Sequence, residues 1–315
     1  MIDFISATKC LYKDSPNLSN CKWLSVNLKG EEIYELMGQK PMKVIWKPSE
    51  KLITIKGSLP YFLQGHNFSF DKNCFIESIN LLQSLLGIGL WDAWLNEFEH
   101  GVIFPIDGNP IDYIRNHSTP KRSKLDACIN GKDKGNGKWW KGSACDLKLY
   151  NPKSNLKNKV RIHKRTDIES FDPKENYLKF EVHYSQPHKL NDGRHLLIED
   201  LQTPYWQNHL GELLLEQYKL LQPMKTLVKP TDKVGIKFQE LVTMKLVEVE
   251  MNQGKTIHEI QKEMYRFMDE FTCLSKSNKD KRKATARRVF GGLKESEISQ
   301  WDLTTRIEVA LNNEM

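Results

Sequence analysis

The sequence lacks the spacings that build common metal and disulfide sites. It has no C-x-x-C pair among its six cysteines, and no two of its nine histidines stand two positions apart. A zinc-binding or disulfide-stapled domain is therefore not expected, and the thiols are expected to be reduced, as in a cytosol. With 18 glycines and 13 prolines in 315 residues, and no low-complexity tract, the chain is also not expected to be disordered.

Long hydrophobic runs are missing as well. The most apolar stretch, residues 79 to 95, is interrupted by Gln83 and Asp92, so it predicts a buried amphipathic helix and not a membrane span. The opening "MIDFISATKC" has no basic segment followed by an apolar one, which argues against a secretory signal. No membrane partner is expected, and the expected location is the cytoplasm.

Acidic residues are scarce in one part of the chain, where basic residues accumulate. Residues 121 to 165 contain fourteen lysines and arginines and three aspartates, a net charge of +11, whereas the whole chain carries +7. The rest of the chain is therefore acidic overall. A local field of this sign suits a polyanion such as nucleic acid, although a charge run is often only a solvated face.

Two tryptophans lie inside this basic window. Trp139 and Trp140 stand between Lys138 and Lys141, and Lys148 follows on the next predicted strand. Aromatic rings interleaved with cations hold single-stranded nucleic acid through base stacking and phosphate contacts. These five residues are therefore the predicted nucleic-acid-binding set, although one of the two tryptophans can equally belong to the core.

The hydrophobic period changes along the chain, and the change predicts two domains. Up to about residue 190 the pattern predicts strands at 43–47, 51–57, 97–104, 145–150 and 177–184 and a helix at about 74–95. From residue 208 the period is helical, with a capping box at Thr256 and Glu259 and a basic helix that breaks at Gly291. The predicted domains are residues 1–190 and 208–315, and the predicted fold class is α+β, an antiparallel sheet with helices on one face followed by a helical domain.

Tyr150 stands at the end of the predicted strand 145–150. Leu147 and Leu149 alternate with Lys148 and Tyr150, which is the period of a half-buried strand. The alternation places Tyr150 on the polar face, and Pro152 just beyond it breaks the strand. The sequence therefore predicts an exposed tyrosine flanked by lysines.

Carboxylates are predicted on the polar faces of two other strands. In "LKFEVHY" the alternation places Glu181 opposite the apolar side chains, and in "NEFEHG" it places Glu97 and Glu99 together. The loop "LQGHN" adds His66. Each of these residues alone is as well explained by solvation or packing. Together with a tyrosine they are the groups that a metal-assisted phosphoryl transfer needs, with Mg²⁺ or Mn²⁺ as the expected ion.

Four stretches carry a resemblance to a known family. In chain order they are "MIDFI", "TIKGSLPYFLQGHN", "LKLYNPK" and "LKFEVHY". Their order and spacing resemble the replication initiators of filamentous phages (inoviruses), the gene-two/X family of rolling-circle replication proteins, and related plasmid initiators. The resemblance covers roughly the first 190 residues, and a shorter one, "KATARRVF", lies in the C-terminal part.

The resemblance implies an activity and a set of residues. Members of this family nick one strand of origin DNA with a tyrosine, which stays joined to the 5′ phosphate while a 3′ hydroxyl is freed, and they later rejoin the displaced strand. Tyr150 would be the nucleophile, Glu181 the strand glutamate, and Glu99, with Glu97 as the competitor, would replace the aspartate of an Arg-x-Asp strand. Origin DNA, double-stranded and single-stranded, would be the partner, with a host helicase and polymerase, in the bacterial host cytosol.

The chain departs from the family at identifiable positions. Where the family has lysine two residues after the tyrosine, this chain has Pro152, and Lys153 follows it. The resemblance implies that Lys153 would be the catalytic lysine beside Tyr150. The His-hydrophobic-His motif of related nicking enzymes is absent, so a metal site must rely on carboxylates. Two other functions stay open: a DNA- or RNA-binding regulator without catalysis, and a conjugative-type relaxase with the same tyrosine chemistry.

Overall fold

The structure is a computed structural model. It describes residues 1–12, 14–68, 70–117, 124–126, 136–153, 171–172, 174–221, 223, 227, 238–294 and 302–314. Much of the predicted basic window, residues 121 to 165, lies outside these ranges. The prediction that the whole window binds nucleic acid is therefore untested, and only its described members are considered below.

Within the described residues, ten strands form one antiparallel sheet. They are β1 Ile2–Cys10, β2 Cys21–Val26, β3 Glu32–Leu36, β4 Met42–Lys47, β5 Leu52–Ser58, β6 Trp94–Ile106, β7 Lys124–Asp126, β8 Gly137–Lys141, β9 Cys145–Tyr150 and β10 Asn176–Tyr184. Their order across the sheet is β2-β3-β4-β5-β1-β6-β10-β9-β8-β7. The first strand therefore lies in the middle, between two hairpin arrays.

Helices complete an α+β fold, which confirms the predicted class. Those in the described residues are α1 Leu59–Leu63, α2 Lys72–Leu86, α3 Pro110–Arg115, α4 Pro204–Lys219, α5 Phe238–Asn252, α6 Ile257–Glu270, α7 Lys276–Gly291 and α8 Thr304–Glu314, with short 3-10 turns at Pro187–Leu190 and Glu199–Gln202. None of the helices in this part of the chain has both the length and the apolar character needed to cross a bilayer.

The predicted helix at 74–95 is shorter in the structure. It begins after Asp71, whose carboxylate accepts a hydrogen bond from the Cys74 N–H, and it ends at Leu86. Gly87 follows with φ +66, a left-handed conformation that glycine adopts without strain and that terminates helices. The apolar residues after Gly87 therefore do not continue the helix, and β6 begins at Trp94.

One face of the sheet is apolar. On β10 it carries Leu178, Phe180 and Val182, and on β9 it carries Leu149, all fully buried. Phe180 meets Tyr218 of α4 edge-on, with ring centroids 5.5 Å apart. Burying a side chain of this size stabilises the fold by about 1.5–3 kcal/mol. The opposite face of the sheet is left to polar side chains.

The chain divides into two compact units, but not at the predicted boundary. The first unit comprises residues 1–115, 119–222 and 303–315, and the second comprises 116–118 and 223–302. The boundary predicted between 190 and 208 falls inside the first unit because α4 packs on the sheet. The C-terminal helix also belongs there, since the Leu303 N–H donates to the Tyr218 hydroxyl at 2.7 Å.

The second unit contains α5, α6 and α7. Its buried core consists of Leu227, Val247, Met251, Ile260, Ala286 and Phe290. The predicted capping box is present: the Thr256 hydroxyl accepts from the Glu259 N–H at 3.2 Å, and the Glu259 carboxylate accepts from the Thr256 N–H at 2.8 Å. The predicted basic helix is α7, which ends at Gly291.

The pairing of β6 with β10 requires a glycine at position 101. Gly101 pairs with Glu181, and a Cβ atom built on it would lie 2.5 Å from both the Glu181 Cβ and the Phe180 carbonyl oxygen. Backbone atoms of β10 cannot move away without breaking the ladder. Gly101 therefore allows the two strands that carry Glu99 and Glu181 to pair closely.

We expect Gly101→Ala to lower the free energy of unfolding by about 1–3 kcal/mol, the usual cost of overpacking a filled site. Denaturant unfolding of the full chain measures this. The matched control is Gly89→Ala, because a Cβ at Gly89 meets nothing closer than the Lys9 Nζ at 3.7 Å. Equal stabilities of the two variants would contradict the assignment.

Candidate active site on the polar face of the sheet

An extra residue in β1 turns Asp3 toward the polar face. Ile2 pairs with His100 and Phe4 with Glu99, so two steps along β1 match one step along β6. Such a β-bulge re-aims a side chain and is common beside functional sites. Regular alternation would have placed Asp3 on the apolar face with Ile5.

The Asp3 carboxylate is buried and fully hydrogen-bonded. It accepts from the Lys179 ammonium, from the Ser58 hydroxyl at 2.6 Å and from the Asn67 side-chain amide at 3.3 Å. Burial alone would raise the pKa of Asp3, but the Lys179 charge and these hydrogen bonds lower it to about 2. Asp3 is therefore ionised at neutral pH, and Asn67 of the "LQGHN" loop helps to hold it.

Lys179 and Lys148 each bridge two carboxylates. The Lys179 Nζ lies 2.6 Å from the Glu181 Oε2 and also contacts Asp3, while the Lys148 Nζ lies 2.5 Å from the Glu99 Oε1 and 3.3 Å from the Glu181 Oε1. Lys179 is fully buried. Burial would lower the pKa of both lysines, but the neighbouring carboxylates raise it. Both ammonium groups therefore stay charged.

His183 links the Glu99 carboxylate to Glu97, the next carboxylate along β6. Its Nδ1 lies 3.2 Å from the Glu99 Oε1 and its Nε2 lies 3.6 Å from the Glu97 Oε2. Glu97 in turn accepts a hydrogen bond from the Lys56 Nζ at 3.0 Å. Burial would raise the pKa of Glu99, but His183 and Lys148 lower it.

These contacts form one continuous line, which we call the charge row. From one end to the other it consists of Lys56, Glu97, His183, Glu99, Lys148, Glu181, Lys179 and Asp3. Nitrogen-bearing side chains alternate with carboxylates along it, and His183 lies between the two carboxylates of β6. Each carboxylate of the row is thus held by at least one nitrogen.

Tyr150 is part of this face but is not exposed. Its side chain is 7% exposed, and its hydroxyl donates to the Glu181 Oε2 at 3.1 Å. The prediction of an exposed tyrosine at a strand end is wrong because β9 is an interior strand, with Gly137 of β8 and Lys179 of β10 on either side of Tyr150. The Asn151 N–H still bonds to the Asn136 carbonyl, so Pro152 does not break the ladder at Tyr150.

The environment of Tyr150 keeps its hydroxyl protonated. Burial raises the pKa of the phenol well above its usual value of 10, and the charge of Glu181 raises it further. The Lys179 charge acts in the opposite direction. The phenol is therefore a hydrogen-bond donor at neutral pH in this structure.

Three carboxylates of the charge row could hold a metal ion. Asp3, Glu99 and Glu181 each offer an oxygen, and these oxygens all lie within 4.8 Å of one another. Oxygen ligands suit hard divalent cations such as Mg²⁺ or Mn²⁺, so the donor set fits the predicted ion. An ion would compete with the two lysines that now contact these oxygens.

Only two of the four predicted metal ligands lie close together in the structure. Glu99 and Glu181 belong to the carboxylate triad, but Glu97 does not and is instead held by Lys56 and His183. His66 is also outside the triad, and its Nδ1 lies 3.3 Å from the Gln64 side-chain amide. The sequence pattern missed Asp3, which takes the third place, although the quoted "MIDFI" stretch contains it.

The two tryptophans of the basic window lie on opposite faces of β8. Trp140 is fully buried next to Leu147, so its predicted role in base stacking is wrong and it belongs to the core. Trp139 lies on the polar face, half-buried, with its Nε1 donating to Asp146 at 3.1 Å and the Lys141 Nζ 4.6 Å from its ring centroid. Alternation along a strand explains the split.

The three predicted phosphate-binding lysines also differ in their surroundings. Lys141 is exposed, whereas the Lys138 Nζ donates to the Arg115 carbonyl at 3.0 Å and burial lowers its pKa to about 8. Lys148 belongs to the charge row. Lys153, predicted to be catalytic, donates from its Nζ to the Glu175 carbonyl, and its Nζ lies 5.5 Å from the Phe171 ring centroid. Of these residues, Lys141 and Trp139 offer the most accessible cation and ring.

No known protein-family model matches the chain. No curated protein sequence is significantly similar to it. The resemblance to rolling-circle initiators therefore stays a prediction, and function has to be argued from the geometry of the polar face.

We expect a fall in pH to lower the free energy of unfolding of the parent protein more than that of the Asp3→Asn variant. The pKa of Asp3 is lowered from 3.8 to about 2 in the folded state, so its charge stabilises the fold above pH 4 and this contribution disappears as the pH falls through about 2. The difference amounts to roughly 2 kcal/mol. Denaturant unfolding between neutral pH and pH 2 measures it, with the exposed Asp14→Asn as the control; parallel pH curves for parent and Asp3→Asn would refute the prediction.

We also expect Mg²⁺ or Mn²⁺ to raise the Tm of the parent. A ligand that binds only the folded state stabilises it by about 2.7 kcal/mol at one hundred times its Kd. Glu99→Gln and Asp3→Asn should reduce this increase, and Glu50→Gln, a glutamate outside the triad, should not. If neither ion changes the Tm of the parent at millimolar concentration, the triad does not bind these metals and is a structural network of ion pairs.

Proposed function

We propose that the protein is a metal-dependent DNA strand-nicking and joining endonuclease that initiates rolling-circle replication. The observation that supports the proposal most is the hydrogen bond from the Tyr150 hydroxyl to Glu181, which belongs to a triad of carboxylates on the same face. A potential nucleophile, a proton acceptor and a set of metal ligands thus meet in one place. The antiparallel sheet of the first unit would be the nicking domain.

In the proposed nicking step the Tyr150 oxygen attacks the phosphorus of one phosphodiester. The phenolic proton passes to Glu181, the new O–P bond joins Tyr150 to the 5′ phosphate, and the bond to the 3′ oxygen breaks. The 3′ oxygen takes up a proton from water and becomes the free hydroxyl that a polymerase extends, and Glu181 returns its proton to the solvent. Rejoining runs in reverse, as a 3′ hydroxyl attacks the phosphotyrosine, so no further reactant is needed.

The residues around Tyr150 would control when this step can occur. Lys148 and Lys179 contact the Glu181 carboxylate, and burial disfavours the phenolate of Tyr150, so Tyr150 is unreactive in the present arrangement. A bound Mg²⁺ or Mn²⁺ supplies positive charge, which stabilises the phenolate and the negative charge on the phosphate under attack. Because Tyr150 is 7% exposed, its hydroxyl must become accessible when DNA binds.

The remaining parts of the proposal rest on the resemblance. Origin DNA, double-stranded and single-stranded, is the proposed substrate, with a host helicase and polymerase as partners in the bacterial cytosol. Trp139 and Lys141 are the proposed contacts for the single strand, since a partly exposed ring and an exposed cation lie together on the polar face.

A second candidate, a nucleic-acid-binding regulator without catalysis, is favoured by one observation. Every carboxylate of the triad is already paired with a lysine ammonium, as in a buried network that needs no metal. In that case Tyr150 only completes the hydrogen bonds of Glu181. Covalent attachment to DNA separates the two candidates.

We expect the parent to form a covalent adduct with a labelled single-stranded oligonucleotide in Mn²⁺, and Tyr150→Phe to lose both adduct and nick by at least about a thousandfold. Phenylalanine keeps the ring and removes the attacking oxygen, so DNA binding should persist. Denaturing gel electrophoresis detects the adduct.

The matched control is Tyr184→Phe on the apolar face of β10. Within the described residues the Tyr184 hydroxyl has no hydrogen-bond partner, so its loss should not affect nicking. An adduct that maps to Tyr177 or Tyr184 would show that the nucleophile is on β10 and that its assignment to Tyr150 of β9 is wrong. A parent that binds DNA and forms no adduct in either metal would favour the regulator.

A further inference from the structure

Helix α7 in the second unit has an apolar side that is fully used by its own core. Ala286 and Phe290 are buried against Val247 of α5 and Ile260 of α6. The helix is also fixed to α6 by polar contacts, because the Lys283 Nζ pairs with the Asp269 carboxylate at 2.6 Å and the Lys279 Nζ donates to the Asp269 carbonyl at 2.7 Å. The orientation of α7 on α6 is therefore set by both kinds of contact.

The opposite side of α7 is basic and exposed. Its exposed cations are Lys276, Lys281, Arg282, Arg287 and Arg288, and Asp280 is the one acidic residue in the helix. These cations take no part in the core of the unit, and no ion pair involving them is found among the described residues. A surface of this kind suits a polyanion such as nucleic acid.

The middle of the exposed side consists of small residues, with a cation before and after them. Ser277, Lys281, Ala284, Thr285 and Arg288 follow one another at helical spacing along one line, about 16 Å long. Ala284 and Thr285 leave the middle of this line low, while Lys281 lies about one turn before it and Arg288 about one turn after it along the helix axis. A helix surface with small residues at its centre and a cation at each end of them can approach the floor of a groove that is bordered by phosphates.

We infer that α7 is a recognition helix that inserts into the major groove of double-stranded DNA. The major groove, about 12 Å wide, admits an α-helix, and small side chains such as Ala and Thr can contact base edges there. Helix α6 precedes α7 through a five-residue connection, Phe271 to Ser275, which is slightly longer than the turn of about three to four residues in helix-turn-helix modules. In those modules the second helix enters the groove.

Other polyanions fit this surface less well. The major groove of double-stranded RNA is too deep and narrow for a helix to enter. A membrane surface would need the apolar side of α7, and that side is occupied by Val247 and Ile260. A single strand offers phosphates but no groove, so it would not use the low centre at Ala284 and Thr285.

This inference goes beyond the nicking proposal and does not depend on it. Tyr150 and the charge row belong to the first unit, and α7 belongs to the second. Binding is therefore measured on the full chain in EDTA, where no metal-dependent cleavage occurs. The probes are a pool of random-sequence duplexes of about 20 base pairs, roughly two helical turns, and the corresponding single strands.

The test compares two double variants that remove the same charge. Lys281→Ala with Arg288→Ala changes the exposed line of α7, and Lys22→Ala with Lys29→Ala removes two exposed cations from the β2–β3 hairpin of the first unit. The first should lose at least about thirtyfold in duplex affinity and less than about threefold on single strands, with a lower salt slope. The second should stay within about threefold on both probes.

A third variant, Ala284→Leu, tests insertion without changing charge. Leucine is a good helix former and Ala284 is exposed, so the unit should fold, but the larger side chain blocks approach to the base edges and should reduce duplex affinity about tenfold. Unchanged duplex binding by Ala284→Leu would overturn groove insertion. Equal losses on duplex and single strand, or equal effects of the two double variants, would overturn it as well.

Discussion

Lys179 is a fully buried cation in the middle of a sheet, and most of the polar face follows from the need to pair it. An unpaired buried ammonium would cost several kcal/mol, so its partners must be placed closely. A bulge in β1 turns the Asp3 carboxylate toward Lys179, and Glu181 lies two residues after Lys179 on the same face of β10. Gly101 leaves space for the Glu181 side chain, and the Tyr150 hydroxyl donates to Oε2 of Glu181, the same oxygen that Lys179 contacts.

The alternation of polar and apolar residues predicted the correct face for Tyr150, Glu99 and Glu181, because strand geometry alone decides it. It could not predict that Tyr150 is buried. That depends on β8 pairing with β9, and a single strand's pattern does not reveal whether the strand is at an edge. Asp3 was missed for a related reason, since a bulge reverses the alternation and depends on the partner strand.

The domain boundary shows a second limit of sequence patterns. The helical period from residue 208 onward is present, and α4, α5, α6 and α7 form there. The period does not say what each apolar side packs against, however. Helix α4 covers the sheet through Tyr218, and α8 returns to the first unit from the end of the chain. Tertiary packing, which lies outside any local pattern, thus divides similar helices between two units.

The central position of β1 has a consequence for how the protein folds. Asp3 and Lys179 are 176 positions apart in the chain, so a ribosome adding about 5–20 residues per second completes Lys179 many seconds after Asp3 has emerged. During that time β1 can pair with β5, but Asp3 has no cation to neutralise it. Contacts of such long sequence separation form slowly. The polar face is therefore among the last parts of the sheet to assemble, and the nascent chain must tolerate an open edge at β1 until β6 is made and at β6 until β10 is made.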